Sequence, residues 1–262
     1  MRFNSIITLS VLYLPVSVLS NPALNQIPRQ AQPAHSSQSS EWLPWERISR
    51  NDSALLVVDH QIGLYQLVRD FDAVIFKQNL LAHAEIGKLF NLPVVMTTSA
   101  QTGPNGPLVK EVLDMFPDAP NIQRNGEVNA WDNPEFREAV RRTGKKQLII
   151  AGIVTDVCTE FLALSLRSEG FSVFANIEAS GTGSSLVRDT ANLRMQGAGV
   201  HLMSTFGVLC DLMRDWRNTN PGVREVVSYV NKYLPTYGIL MRGHASAILQ
   251  NGTVLPGAEK FI

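Results

Sequence analysis

From residue 54 onward, short unbroken apolar runs alternate with longer stretches whose apolar residues recur at helical spacing. The runs are Ala54–Asp59, Pro93–Thr98, Gln147–Ile153, Phe171–Ile177 and Val200–Met203, with a brief Asn121–Arg124 after the second. Continuous hydrophobicity, rather than strict alternation, is what a strand shows when both of its faces are covered. The stretches between them predict helices over 76–90, 108–116, 134–143, 158–167, 186–196 and 206–216. Asp132 or Asn133 is a cap for the third helix, Pro134 fits its first turn and Gly144 closes it. Strand–helix alternation of this kind predicts a doubly wound, Rossmann-like three-layer α/β/α sandwich around a mostly parallel six-stranded sheet. Ligands of such sheets bind at the carboxyl ends of the strands, where the strand order reverses. If the fourth strand turns back beside the first, Asp59 at the end of one meets Cys158 just after the other.

The first 20 residues read as an export signal: Arg2, a mostly apolar Ile6–Leu19, and small Val18 and Ser20 before a cleavage point at Asn21. That run is shorter than the ~20 apolar residues a membrane span needs. The expectation is a secreted protein with no membrane attachment after cleavage. Residues 21–44, rich in Pro, Ser and Gln, read as a disordered spacer, 45–220 as one domain, and 221–262 as an extension packing on that domain or on a neighbouring subunit. Asn51 and Asn251 begin N-glycosylation sequons. Lys plus Arg equals Asp plus Glu at 23 each, and no basic run occurs, so net charge offers no case for nucleic acid.

Cys158 follows a strand and the Gly-led turn Gly152-Ile153-Val154-Thr155-Asp156-Val157. A thiol where a helix begins is placed as a nucleophile. The helix N-terminus lowers its pKa, and free backbone N–H groups there can hold an oxyanion. The competing account is a disulfide with the chain's other cysteine, Cys210. Asp59, ending a hydrophobic strand, has a pKa raised by burial and suits proton transfer from the thiol. Arg124 is a fixed cation that would favour a nearby thiolate or carboxylate, and Thr155 and Asp156 would order the loop. The five histidines show no metal spacing, and Gly181-Thr182-Gly183 is too short for a dinucleotide fingerprint, so neither metal nor cofactor is expected.

Taken together, several ordered motifs resemble the isochorismatase-like cysteine hydrolases, and among them the YcaC-like group. They are Val57-Val58-Asp59-His60-Gln61, Thr97-Thr98, Thr102-Gly103-Pro104-Asn105-Gly106-Pro107, Asn129-Ala130-Trp131-Asp132-Asn133, Gly152–Cys158, Ala179-Ser180-Gly181-Thr182 and Asp215-Trp216-Arg217-Asn218. The resemblance implies a Cys158 nucleophile, an Asp59 acid/base, a cis Ile153–Val154 bond, and an oxyanion hole from the Val154 and Cys158 N–H groups. It also implies homo-oligomers. The wider family usually carries lysine as its basic member; Arg124 stands in that place here, keeps its charge and cannot shuttle protons. The zinc ligands of the nicotinamidase branch are absent, and Cys210, inside a helix, reads as a packed thiol.

The expected function is hydrolysis of an amide or related C–N bond in a small molecule. Gln61, Leu64, Tyr65, Gln101, Asn129, Trp131 and Thr155 are candidate pocket walls. Two alternatives stand beside it: release of pyruvate from isochorismate, and a non-catalytic oligomeric binding protein that keeps the fold.

Overall fold

The computed structural model describes residues 45–251, with side chains through residue 243. The expected signal and spacer, and the Gly252-Thr253 half of the second sequon, lie outside the described residues.

Six parallel strands form one sheet in the order β3-β2-β1-β4-β5-β6: β1 Ser53–Val58, β2 Val94–Ser99, β3 Asn121–Arg124, β4 Gln147–Gly152, β5 Ser172–Asn176 and β6 His201–Met203. The order reverses between β1 and β4, which pair along their length from Ser53–Gln147 to Val58–Gly152. The expected neighbours are therefore neighbours. Every residue of β1 and β4 is buried, which accounts for their unbroken apolar sequence.

The pleat sorts those side chains into two cores. Leu55 and Val57 face one side with Phe76, Leu80 and Ile86 of α2 (Ala73–Leu89), Val208, Leu209 and Leu212 of α7 (Thr205–Met213), and Val226, Tyr229 and Val230 of α8 (Val223–Tyr233). Ala54, Leu56 and Val58 face the other, against Phe136 and Val140 of α4 (Pro134–Arg142), Leu162, Ala163 and Leu166 of α5 (Glu160–Ser168), and Met195 of α6 (Ser185–Gly197). Full burial of each Leu, Val, Ile or Phe side chain contributes about 1.5–3 kcal/mol.

The helix limits differ from expectation where local chemistry decides them. Asp72 accepts from the N–H groups of Val74 and Ile75 and starts α2 at Ala73, earlier than the apolar period suggests. Asn133 rather than Asp132 caps α4, accepting from Phe136 N at 2.9 Å. A four-residue α1 (Ile62–Tyr65) follows β1, and α3 (Lys110–Met115), shorter than the expected 108–116, lies between β2 and β3. α7 stops at Met213 because Arg214 adopts φ +65°.

In the 221–262 segment, α8 packs on α2. The Tyr229 hydroxyl donates to Ala82 O at 2.9 Å, and Lys232 pairs with Glu85 at 2.7 Å. The last helix, α9 (Pro235–Asn251), stacks Tyr237 on Phe206 with ring centroids 3.8 Å apart.

Gly152, at the end of β4, is tightly enclosed beside the site. A Cβ there would lie 2.4 Å from Val58 O and 2.9 Å from Thr159 Oγ1. Gly152→Ala is expected to lower stability by about 3 kcal/mol through overpacking, read as a drop in the urea midpoint; an unchanged midpoint would show that the turn yields freely.

Candidate active site

Three strand ends supply the candidate residues. Asp59 follows β1 and turns away from it with φ +53°, a left-handed conformation that aspartate tolerates better than most residues. Arg124 is the last residue of β3. Cys158 lies after β4 in a wide turn, Thr155–Thr159, closed by Thr159 N–H donating five residues back to Val154 O at 3.2 Å. The expected helix start at Cys158 is thus displaced: regular α-helix begins at Glu160, and the thiol sits in the wider turn before it. The Ile153–Val154 peptide bond is cis.

Asp59 and Arg124 form an ion pair, Arg124 Nη2–H donating to Asp59 Oδ2, with both side chains fully excluded from water. The rest of the guanidinium is held in place. Its Nε donates to Thr97 Oγ1 at 3.0 Å, and Nη1 donates to the carbonyls of Glu127 and Val128. Cys158 lies against this pair and keeps 9 % of its surface exposed. Asp59 Oδ1, the oxygen that Arg124 leaves free, has no hydrogen-bond partner of good geometry. The thiol and the carboxyl are nevertheless close enough for each to shift the other's proton affinity.

Burial raises the Asp59 pKa, and the charge and hydrogen bond of Arg124 oppose that rise. Burial also pushes the Cys158 thiol well above its ordinary value, followed by the adjacent negative charge of Asp59; Arg124 and the Val154 N–H, directed at the sulfur, oppose it only in part. This corrects the expectation that a helix start lowers the thiol pKa. In the resting site, desolvation and a neighbouring carboxylate outweigh the backbone dipoles, and the sulfur keeps its proton. Cys158 and Cys210 are both free thiols, so the disulfide alternative does not hold. Cys210 is only half-buried on α7.

The candidate pocket residues divide. Thr155 is buried in the turn carrying Cys158 and donates its N–H to Gly181 O at 3.0 Å. Gln61 is a fastener rather than a pocket wall: its amide donates to Ser99 O and Gly106 O, and its Oε1 accepts from Ser99 N at 2.8 Å, so both ends are used. Gln101 Oε1 accepts from Thr98 Oγ1 at 3.2 Å. Leu64 and Tyr65 pack on the core beside α2, and Tyr65 borders a surface groove of about 490 Å³ between α2 and α8 that includes none of Asp59, Arg124 and Cys158. Asn129 donates to Ser165 Oγ at 2.9 Å, about two turns along α5 from the thiol, and Trp131 stacks edge-on against Phe136 and Phe171. Trp131 shares a buried apolar cluster with Cys158 on that face of the sheet.

Sequence reasoning missed the ties that hold the turn carrying Cys158. Thr182 Oγ1 donates to Asp156 Oδ1 at 2.6 Å, and Thr182 N–H to Asp70 Oδ1 at 2.8 Å. Gly181 is the close approach that permits this, since a Cβ there would meet Val68 and Phe76 within 2.9 Å. The Gly181-Thr182-Gly183 run, set aside as a weak nucleotide motif, serves packing.

An isochorismatase domain matches residues 53–206. The chain belongs to the isochorismatase family. It is 51% identical over 201 residues to the probable hydrolase YcaC of Escherichia coli (strain K12), covering 77% of this chain and 95% of that protein. The solved E. coli YcaC, described as an octameric hydrolase of unknown specificity, superposes with a TM-score of 0.75 at 50% identity, covering 78% of this chain and 98% of the other. YcaC from Pseudomonas aeruginosa, solved with hexane-2,5-diol and covalent acrylamide, gives 0.74 at 52% identity, with 76% and 98% covered. Family and fold are thus those the sequence motifs imply, and the chain is a YcaC-like hydrolase by kinship.

Beneath the site lie two fully buried histidines. His60 Nε2 meets Ala179 O at 2.8 Å and His83 Nε2 meets Leu56 O at 3.1 Å, so each ring donates to a carbonyl. Burial depresses their pKa values to about 3 and about 4. Groups held neutral in the fold but protonated near pH 6.5 when unfolded stabilise the fold fully above that pH. The contribution is lost as pH falls toward the folded values. Stability should therefore fall between pH 6.5 and about 4 with a slope of up to about 1.4 kcal/mol per unit for each histidine. His83→Gln should flatten that slope in denaturant titrations; an unchanged slope would exclude His83 as a source.

Proposed function

We propose that this hydrolase cleaves an amide or related C–N bond of a small molecule through Cys158, with Asp59 as acid/base and Arg124 as a fixed electrostatic partner. The observation that carries the reading is the water-excluded Asp59–Arg124 pair in electrostatic contact with the Cys158 thiol. A thiol with a raised pKa is a poor nucleophile by itself and needs a base at the moment of attack. Asp59 is that base. Its proton affinity is raised by burial toward the working range, while Arg124, which cannot shuttle protons, keeps the carboxylate oriented.

In the proposed sequence Asp59 takes the thiol proton and the sulfur attacks the carbonyl carbon. The oxyanion is met by the N–H groups of Val154 and Cys158. Collapse breaks the C–N bond, and Asp59 returns its proton to the leaving nitrogen. A thioester remains, which water cleaves with Asp59 again as base. The covalent acrylamide on P. aeruginosa YcaC supports the reading, because acrylamide is an electrophile that nucleophilic side chains capture. The octameric E. coli relative supports assembly of this chain with further copies. The leader-like first 20 residues support action outside the cell.

With a panel of small amides, Cys158→Ala should reduce turnover by at least about 10³-fold while leaving the melting temperature nearly unchanged. Full turnover in that variant would overturn the mechanism. Asp59→Asn should slow iodoacetamide labelling of Cys158 by about 10²-fold or more. Pyruvate release from isochorismate, measured beside the amide panel, separates ether cleavage from C–N cleavage.

A further inference from the structure

β2 is a buried strand in a parallel sheet, and its first three residues, Val94, Val95 and Met96, are apolar as such a strand requires. Thr97 breaks the pattern although it is fully buried. A buried hydroxyl costs free energy unless its hydrogen-bonding capacity is used, and this one is used on both sides. Its single proton goes to Ile122 O of β3 at 2.8 Å, since a carbonyl can only accept. Its lone pair therefore faces Arg124 Nε–H, at 3.0 Å. The main chain of the same residue holds the other half of the ion pair: Asp59 N–H donates to Thr97 O at 3.0 Å. One residue thus contacts both partners, the aspartate through its carbonyl and the arginine through its hydroxyl.

We propose that Thr97 is a positioning residue for the reaction, setting the angle at which Arg124 meets Asp59 and through it the readiness of Asp59 to accept the Cys158 proton. The proposal rests on the Asp59–Cys158 reading above and deepens it. The titratable and charged neighbours of Asp59 are Arg124 from β3 and Cys158 from the turn after β4. His60, next in sequence, is directed to Ala179 O, and His83 of α2 to Leu56 O.

Thr97→Val keeps the volume and the carbonyl and removes the acceptor for Arg124. Thr97→Ser keeps the acceptor and removes only a methyl group. The readout is the rate of Cys158 alkylation by iodoacetamide across pH, followed by intact mass on folded full-length protein, with wild type and Asp59→Asn run alongside. In wild type the acid limb of that profile reports the coupled Asp59–Cys158 titration. Loss of a well-aligned cation moves a carboxylate upward, so Thr97→Val should shift the limb up by about one unit, and Thr97→Ser should restore the wild-type limb. A Thr97→Val profile coincident with wild type overturns the proposal, as do equal shifts in the Val and Ser variants, which would mark a packing effect. If Thr97→Val does not fold, Thr97→Ala carries the same expectation against Ser. A wild-type profile identical to that of Asp59→Asn overturns the underlying Asp59 reading itself, and the proposal with it; this outcome is distinct from a silent Thr97 in a protein whose Asp59 limb is present.

Discussion

Burying a carboxylate and a guanidinium together removes both from water at a cost of several kcal/mol per ion, which only close contact and further hydrogen bonds offset. Around the Asp59–Arg124 pair, much of the surrounding architecture supplies those offsets. Thr97 and the carbonyls of Glu127 and Val128 occupy the guanidinium. The left-handed turn at Asp59 brings its carboxyl off the end of β1 and into the sheet edge where Arg124 arrives. Such a pair is poor evidence for stability. Under the proposed mechanism, it is the cost of holding a base in a dry, fixed place beside a thiol.

The same desolvation governs the sulfur. A helix start and a nearby arginine argue for a thiolate, but those effects are modest beside nearly complete burial and an adjacent carboxylate. The resting site therefore stores its proton on sulfur. In the proposed reaction, proton transfer to Asp59 and bond formation at the sulfur would therefore have to go together. This is chemically distinct from the pre-formed thiolate of sites in which a cation dominates.

The covered parallel sheet was legible in the sequence, and the meeting of Asp59 with Cys158 followed once the fourth strand was supposed to lie beside the first. Continuous apolar strands call for helices on both faces but allow more than one strand order, and the structure sets the reversal between β1 and β4. What was not legible depends on side-chain partners distant in sequence. Gln61 looks like a pocket residue because it follows Asp59, yet its amide is consumed by Ser99 and Gly106. Asn129 and Trp131 sit in a conspicuous motif but serve the α4–α5 contact. The direction of the thiol's shift was misread because local sequence shows the dipole and hides the burial. Thr97 carried a readable signal, a hydroxyl in a buried apolar strand, whose meaning needed the third dimension.

The strand order has a consequence for when this protein can react at all. Arg124, Thr97, Asp59 and Cys158 lie in or just beyond the carboxyl-terminal halves of four adjacent strands, β3-β2-β1-β4. The central pairing joins Ser53 to Gln147 and Val58 to Gly152, 94 residues apart in the chain. Contacts so distant along the chain close late, because loop entropy must be overcome first. A nascent or partly unfolded chain carries the cysteine apart from Asp59 and Arg124. Assembly of the Asp59–Arg124–Cys158 cluster is thus coupled to completion of the sheet, so the fold times the appearance of its own candidate site.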